Sequence, residues 1–345
     1  MPRTPRVLFL GTRCTNSAGV LASLVGAGFE VRVVVPGPPG QSTAIDVAEP
    51  HREPGSDECR VPPEPVIDAS RPFRRPLVNA GDDPLSTVAA GAGFPINATP
   101  TIRRPDRWAS LVGDGVDLIV TACFPWRVPA GLVALAPLGG VNVHPSLLPL
   151  GRGPHPVFWT VRRGERMTGV TIHLLTETFD AGPILAKAMI PIPTDPPLAI
   201  DDLERRLFRL GGEMLPGVLR DLAAGTAMPE PQDHTRATDA PTPGPADYLV
   251  PTTLPAAWAY RFTRAVRGTG PTTVLIGATG EAVPVTDALA LGPADLATAP
   301  VVRRGATVIV RFLDGTMTFA TAPTGGPSPE CPPGLVDSRS TPGPA

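Results

Sequence analysis

Three polar side chains near the middle of the chain, Asn142, His144 and Asp180, have the types that acyl transfer to an amine requires. An amide N–H can hold the oxyanion that forms when an amine adds to a carbonyl carbon. An imidazole beside a carboxylate can move protons from the attacking amine to the departing group. Because none of the three has to act as a nucleophile, the set predicts direct transfer without a covalent enzyme intermediate.

The spacing of these residues indicates how a fold would position them. Asn142 and His144 lie two residues apart in an apolar run at 140–144, which predicts a strand with both side chains on one face. Ligands of open α/β sheets bind at the carboxyl ends of such strands. Taken singly, each residue also has a structural interpretation as a strand-end cap, a core histidine or a turn former.

The apolar runs predict a doubly wound α/β fold of the Rossmann-like type. It begins with a strand at 6–11, a helix at 18–26 and a second buried strand at 30–35. A single Gly11 follows the first strand in place of G-x-G-x-x-G, so a dinucleotide site is not expected. The further predicted elements are strands at 94–98, 116–122, 140–144, 169–174 and 184–192 and helices at 84–92, 105–113, 154–164 and 200–223.

One long segment, 36–83, is rich in Pro, Gly, Asp and Arg and shows no sustained periodicity. A segment of this length inside a domain is either disordered or a functional loop. The sequence leaves both interpretations open. The second would place a substrate-binding loop directly after the second strand.

Length and composition limit the class of protein. The 345 residues are enough for two domains, and a net charge of −2 gives no general attraction for nucleic acid. The four cysteines follow no metal-ligand spacing, so neither a metal site nor a disulfide framework is expected. No run of 18 apolar residues occurs. A cytoplasmic protein that does not enter membranes is therefore predicted.

Three motifs resemble a known family. They are Val-Asn-Val-His-Pro-Ser-Leu-Leu-Pro-Leu-Gly-Arg-Gly at 141–153, Thr-Gly-Val-Thr-Ile-His at 168–173 and Phe-Asp-Ala-Gly-Pro-Ile at 179–184. Together they resemble the formyltransferases that use 10-formyltetrahydrofolate. That family includes glycinamide ribonucleotide transformylase, methionyl-tRNA formyltransferase and the sugar-nucleotide N-formyltransferases.

The resemblance extends over about 6–235, and the 36 residues from His144 to Asp180 match the family's spacing. It implies that Asn142, His144 and Asp180 are catalytic and that 10-formyltetrahydrofolate is the co-substrate. It implies no metal. The combination of motif and spacing favours this interpretation over the structural one for each residue.

The resemblance also implies which residues enclose the folate. They belong to three segments and are Cys123, Phe124, Pro125, Trp126, Ser146, Leu147, Leu148, Pro149, Glu177, Thr178 and Phe179. For the segment 146–149 a rigid turn is the structural alternative, and for Trp126 it is simple packing. His173 is expected to have a structural role near the site. His155 is a weaker candidate for a contact with the acceptor.

Composition and resemblance together predict the domain order. Residues 1–228 form the formyltransferase catalytic domain, with the long loop 36–83, and residues 229–250 form a linker. Residues 251–325 form a small β-rich domain, and the Pro/Gly/Ser-rich tail 326–345 is expected to be disordered.

The linker begins with Met-Pro-Glu-Pro-Gln-Asp at 228–233, which resembles the linker of methionyl-tRNA formyltransferase. By analogy with that enzyme, the C-terminal domain is expected to be OB-like. Its sequence predicts a helix at 254–267 and strands at 272–276, 281–287, 300–303, 306–312 and 316–321.

These observations predict an N-formyltransferase acting on the amine of a small molecule, such as an amino sugar nucleotide or an amino-acid-derived precursor in specialised metabolism. Methionyl-tRNA is the alternative acceptor. Binding its acceptor stem requires clustered cations, whereas the five arginines of 36–83 are interspersed with acidic residues. Hydrolysis is disfavoured because Pro145 follows the histidine as in transferases, where related hydrolases carry His. A binding or assembly protein without catalysis is a further alternative, which the intact polar set argues against. The sequence does not determine the oligomeric state.

Overall fold

The large sheet occupies the N-terminal two thirds of the computed structural model, which describes residues 3–37, 44–45, 83–113, 115–270, 272–277, 279–294 and 299–321. The strands are β1 Val7–Leu10, β2 Val31–Pro36, β3 Ala44–Ile45, β4 Ile96–Thr99, β5 Leu118–Ala122, β6 Gly140–His144, β7 Met167–Leu174 and β8 Ile184–Pro191. Their order is β3-β4-β2-β1-β5-β6-β7-β8. The pairs β3–β4, β6–β7 and β7–β8 are antiparallel and the others parallel.

Helices cover both faces of this sheet, which confirms the predicted doubly wound α/β fold. One face carries α1 Thr15–Gly26, α2 Pro84–Gly91, α5 Pro156–Arg162 and α6 Ile200–Ala224, and the other carries α3 Trp108–Val112 and α4 Ala130–Val133. Strand β1 shows why its sequence is apolar throughout. Val7 and Phe9 pack into one core, and Leu8 and Leu10 pack into the other.

Some local elements of this domain differ from the prediction. The helix expected at 105–113 is divided into a 3-10 turn at Pro105–Arg107 and the short α3, which ends at Gly113. Helix α4 was not predicted, because four residues are too few to establish a helical period. It begins just after Pro129.

The C-terminal part is a β-rich unit, as predicted. Its elements are β9 Leu249–Pro251, α7 Ala256–Ala265, β10 Thr272–Leu275, β11 Ala282–Val285, β12 Asp287–Gly292, β13 Val301–Arg304, β14 Thr307–Arg311 and β15 Thr316–Ala320. They form the sheets β11-β10-β9 and β12-β15-β14-β13. Strands β9 and β12 were missed. The Ala-Leu-Ala-Leu sequence within β12 has little strand propensity, and pairing with β15 overrides that preference.

Aromatic side chains join this unit to α5, the helix after the turn at 145–155, which is called the catalytic turn here because it follows the predicted catalytic residue His144. The ring of Phe158 on α5 lies 5.2 Å from that of Tyr248 and 5.9 Å from that of Phe262. Trp258 donates its indole N–H to the carbonyl of Arg162 at 3.1 Å. Each such aromatic pair adds about 0.5–1.5 kcal/mol beyond its buried area, so α5 and α7 are firmly packed together.

Several predictions concern residues that the structure does not describe. Most of the loop 36–83 and the whole tail 326–345 lie outside the described residues. The boundaries at 228, 250 and 325 stay predictions. Within the described ranges, no helix is long and apolar enough to span a membrane.

Candidate active site

The sheet brings the three predicted catalytic residues together. Asn142 and His144 lie on β6, where antiparallel pairing sets Asn142 opposite His173 and His144 opposite Thr171 on β7. Asp180 lies in the loop between β7 and β8. Its backbone φ is +52°, a left-handed conformation that is costly for a residue with a Cβ and that clusters at functional sites.

The Asp180 carboxylate is the centre of a buried polar cluster, which consists of Asn142, His144, His173 and Asp180. Its Oδ1 accepts a hydrogen bond from Asn142 Nδ2 at 3.2 Å and lies 3.6 Å from both His144 Nδ1 and His173 Nε2. Its Oδ2 accepts the backbone N–H of Gly153 at 2.9 Å. Only 8% of Asp180 is exposed. The carboxylate is therefore held by contacts on both oxygens.

The Asn142 amide is oriented by partners on three sides. Its Oδ1 accepts the hydroxyl of Thr121 at 2.7 Å, and its Nδ2 faces His173 Nε2 at 3.2 Å as well as Asp180. His173 Nδ1 donates to the carbonyl of Leu174 at 2.9 Å, which leaves Nε2 as the acceptor. Both amide hydrogens of Asn142 are engaged, so a contact with an oxyanion would have to replace one of these two bonds.

His144 has one ring nitrogen bonded to the protein and one available for proton transfer. Nε2 donates to the carbonyl of Gly151 at 2.8 Å, whereas Nδ1 is too far from Asp180, at 3.6 Å, for a hydrogen bond. Burial lowers the pKa of His144, and the Asp180 charge only partly opposes that effect. The neutral ring with a free Nδ1 is thus the form expected at pH 7.

For the pKa of Asp180, neighbouring groups outweigh burial, which is the reverse of His144. Burial by itself would raise the pKa of this carboxyl, but the charge of His144 when it is protonated and the Gly153 N–H outweigh that effect and hold the pKa well below its usual range. A neutral imidazole next to an ionised carboxylate can take up and release a proton without a large energetic cost, because the carboxylate stabilises the imidazolium.

The segment 146–149 forms a rigid turn. Ser146 Oγ donates to the carbonyl of Leu150 at 2.7 Å. Thr171 Oγ1 donates to the carbonyl of Ser146 at 2.7 Å and accepts the N–H of Leu148 at 3.2 Å. Leu148 is buried and Pro149 half-buried. The hydrogen bonds of this segment are therefore those of a rigid turn, the structural alternative to a folate contact.

Other predicted folate contacts, at Leu147 and in the segment 123–126, pack against neighbouring residues of the chain. Leu147 lies directly over Gly169 on β7. The Phe124 and Trp126 rings meet edge to face at 5.5 Å beside the second core, and Pro125 between them is exposed.

Cys123 points toward helix α1. A hydrogen bond between the Cys123 and Cys14 thiols lowers the pKa of Cys14 to about 5 and raises that of Cys123. Cys14 also accepts the backbone N–H of Ser17 in the first turn of α1. The thiol of Cys123 is thus engaged by α1, although the backbone of its segment remains at the strand end.

The remaining predicted residues, at 177–179, are exposed. Phe179 is 55% exposed, and Thr178 lies beside it. The backbone carbonyl of Glu177 accepts the guanidinium of Arg127 at 3.0 Å. This bond ties the loop before Asp180 to the segment that follows Trp126.

An apolar groove of about 550 Å³ opens beside these segments. It is lined by Val128, Ala130, Val133, Ala134, Ala136, Pro137, Gly139, Leu175, Thr176 and Glu177. Among the residues predicted to contact folate, Glu177 belongs to this lining. The other lining residues were not among the predicted ones, although the sequence shows a run of small apolar residues at 128–137 between two strands. No group of three or more His, Cys, Asp or Glu side chains suited to a metal ion occurs in the part of the chain that the structure describes.

Comparison with known proteins agrees with this architecture. Residues 89–219 match the family model described as formyl transferase. The methionyl-tRNA formyltransferase of Roseiflexus castenholzii is 39% identical over 182 residues, which are 53% of this chain and 58% of the relative. That of Chloroflexus aurantiacus is 34% identical over 260 residues, which are 75% of this chain and 73% of the relative.

A solved structure shares the fold. It is the N-formyltransferase from Helicobacter canadensis in complex with folinic acid and dTDP-3-aminofucose, with a TM-score of 0.59 and 12% identity, covering 92% of this chain and 99% of that chain. At this identity the likeness concerns the fold alone. The alignment with the Chloroflexus enzyme, which extends over most of both sequences, decides the family. The chain belongs to the formyltransferase family.

Proposed function

We propose that this protein transfers the formyl group of 10-formyltetrahydrofolate to the amine of a small-molecule acceptor. The observation that carries the proposal is the Asp180 carboxylate, which lies 3.6 Å from the imidazole of His144 and accepts a hydrogen bond from the Asn142 amide. The lining of the apolar groove includes Leu175, Thr176 and Glu177, which belong to the loop that leads to Asp180.

Asn142, His144 and Asp180 have separate roles in the transfer. As the amine nitrogen bonds to the formyl carbon, Asn142 Nδ2 donates to the oxygen that receives the electron pair. His144 Nδ1 takes the proton from the amine, and Asp180 stabilises the imidazolium. The same Nδ1 returns the proton to the folate nitrogen as its bond to the formyl carbon breaks. His144 Nε2 stays bonded to Gly151 throughout and keeps the ring in place.

The groove suits the folate co-substrate. Its volume of about 550 Å³ lies within the ordinary range for small-molecule sites. Val128, Val133 and Leu175 supply apolar walls that match the faces of a flat heterocycle. The complex of the Helicobacter relative with folinic acid supports the choice of a reduced folate.

The distribution of charge supports a small acceptor. Lys187 is the one lysine of the sequence. In the C-terminal unit, Arg267 pairs with Asp287 at 2.8 Å and Arg303 with Glu281 at 2.8 Å, which neutralises cations that a polyanion would need. The amino sugar nucleotide in the Helicobacter complex is an acceptor of the proposed class.

Methionyl-tRNA is a second candidate acceptor. Two observations favour it: the relatives at 34–39% identity are named methionyl-tRNA formyltransferases, and the linker start at 228–233 resembles theirs. With this acceptor the same polar cluster would act on the amine of the methionyl group.

A comparison of acceptors in separate reactions tests the proposal. The protein is mixed with 10-formyltetrahydrofolate and either a panel of amino sugar nucleotides and amino-acid derivatives or methionyl-tRNA, and release of tetrahydrofolate is measured. We expect one small amine to reach a kcat/KM above about 10⁴ M⁻¹s⁻¹, with Asp180→Asn as the inactive control. A higher kcat/KM for methionyl-tRNA would establish the second candidate. Folate binding without transfer to any acceptor would indicate a protein that binds but does not catalyse.

A further inference from the structure

The segment after α6 does not leave the catalytic domain directly. Residues 230–240, called the strap here, run back along the edge of the polar cluster. At one end Glu230 exchanges backbone hydrogen bonds of 2.7 and 2.8 Å with Ile184 at the start of β8. Further along, the N–H of Arg152 donates to the carbonyl of Thr238 at 2.8 Å. The strap therefore joins the catalytic turn to the strand that follows the Asp180 loop.

Gln232 is the buried residue at the centre of this contact. It is 6% exposed, whereas Asp233 beside it is exposed. Its Nε2 donates to the carbonyls of Asp180, at 2.8 Å, and Gly182, at 2.7 Å. Its Oε1 accepts the Arg152 guanidinium at 2.6 Å. The amide has one possible orientation, because the carbonyls require the NH₂ group and the guanidinium requires the oxygen.

The two carbonyls that Gln232 binds belong to the backbone that presents the Asp180 carboxylate. On its other side this backbone passes so close to β7 that a Cβ at Gly182 would lie 1.8 Å from the carbonyl oxygen of Leu174. The loop is thus fixed by strand packing on one side and by the Gln232 amide on the other. Loss of the amide would release one side only.

We propose that Gln232 is a positioning residue for Asp180: by holding this backbone it sets the distance between the Asp180 carboxylate and His144. The kinetic consequence of this inference rests on the proposed function, whereas the coupling of the two side chains does not. The region predicted as a linker would then belong to the machinery of the active site.

The pKa of His144 reports on that distance. The groups that face its ring are the Asp180 carboxylate from the loop, His173 from β7 and the carbonyl of Gly151 from the catalytic turn. Of these, the carboxylate opposes the effect of burial by its charge. Movement of the carboxylate away from the ring weakens this support for the imidazolium, so the pKa of His144 must fall further.

Histidine titration by NMR tests the proposal on the full chain. The sequence has five histidines, and the His144 signal is the one missing from a His144→Gln spectrum. We expect Gln232→Met, which preserves side-chain length but removes both donors, to lower the pKa of His144 by at least about 0.5. Asp180→Asn should lower it more. The matched control is Asp233→Ala, because the Asp233 side chain accepts hydrogen bonds only from Thr235 among those described.

A titration curve for His144 in Gln232→Met equal to that of the wild type, with Asp180→Asn shifted, would overturn the proposal. If Gln232→Met does not fold, Gln232→Asn replaces it. Its shorter amide remains polar but cannot reach both carbonyls, so a smaller shift in the same direction is expected.

Kinetics supply a second readout. Turnover by Gln232→Met should fall about 10-fold, since small misplacement of a reacting group is costly, while the Kd for 5-formyltetrahydrofolate stays within about twofold. Equal turnover by the variant and the wild type would contradict the kinetic part. A wild type that formylates no amine would refute the proposed function, and the titration would still decide the role of Gln232.

Discussion

The polar cluster and the apolar groove are neighbours, yet their side chains are held in different ways. His173 and Asp180 are 2% and 8% exposed, and each has hydrogen-bond partners within the protein. The groove has an exposed Ala134 in its lining and depends on short side chains that leave space. Under the proposed function, this difference means that hydrogen bonds fix the reacting groups in advance, whereas the groove would recognise the co-substrate mainly by shape and apolar contact.

This comparison separates two kinds of defect. A change in the polar cluster should reduce turnover and leave folate affinity nearly unaltered, because the cluster acts on the transition state. A change in the groove should do the reverse. The following predictions test that separation, and their expected effects decrease from one to the next.

The largest effect is expected from Asp180→Asn. The amide keeps the shape of the side chain but cannot stabilise the imidazolium of His144, so kcat should fall at least about 100-fold, and Asn142→Ala or His144→Ala should act similarly. Steady-state turnover and calorimetry with 5-formyltetrahydrofolate would measure the two properties separately. Near-normal turnover by His144→Ala with the true acceptor would refute the mechanism.

In the groove, Ala134→Trp should raise the Kd for 5-formyltetrahydrofolate about 10-fold or more, because the indole occupies space between the apolar walls. Leu135→Trp is the matched control, since Leu135 is adjacent, 47% exposed and outside the lining. Calorimetry would distinguish them. Equal affinities of the two variants would show that the folate binds elsewhere.

A smaller effect is expected at Thr121, whose hydroxyl orients the Asn142 amide. Thr121→Val removes one hydrogen bond, worth about 1 kcal/mol, and should lower kcat roughly fivefold with little change in KM. Thr121→Ser retains the hydroxyl and should restore most of the activity. A fall in kcat for Thr121→Ser as large as for Thr121→Val would contradict the role of the hydroxyl.

The smallest effect concerns pH. Burial lowers the pKa of His144, so the ring stays neutral at pH values where an ordinary histidine begins to gain a proton. Since Nδ1 must be unprotonated to accept a proton, kcat should change less than about twofold between pH 8 and 6.5 and decline only at lower pH. A decline that is half complete near pH 7 would show that the Asp180 charge outweighs burial.

Local patterns in the sequence were sufficient for the fold class, whereas the resemblance to the family was needed to group Asp180 with Asn142 and His144. Strand β6 follows from an apolar run with two polar residues on one face, and the Asp180 loop follows from its motif. The short elements α4 and β9 were not predicted, because they contain too few residues to show a helical or strand period.

By itself the sequence determined the order of the longer strands and helices and pointed to the residue types that could carry the chemistry, because both depend on local patterns. Only the tertiary structure decided which partners orient them. Thr121, His173 and Gln232 come from β5, β7 and the strap, and they meet at Asn142 and Asp180 through contacts that span 21 to 52 residues. Such contacts leave no local period in the chain, since burial and hydrogen bonding select them after the elements have packed.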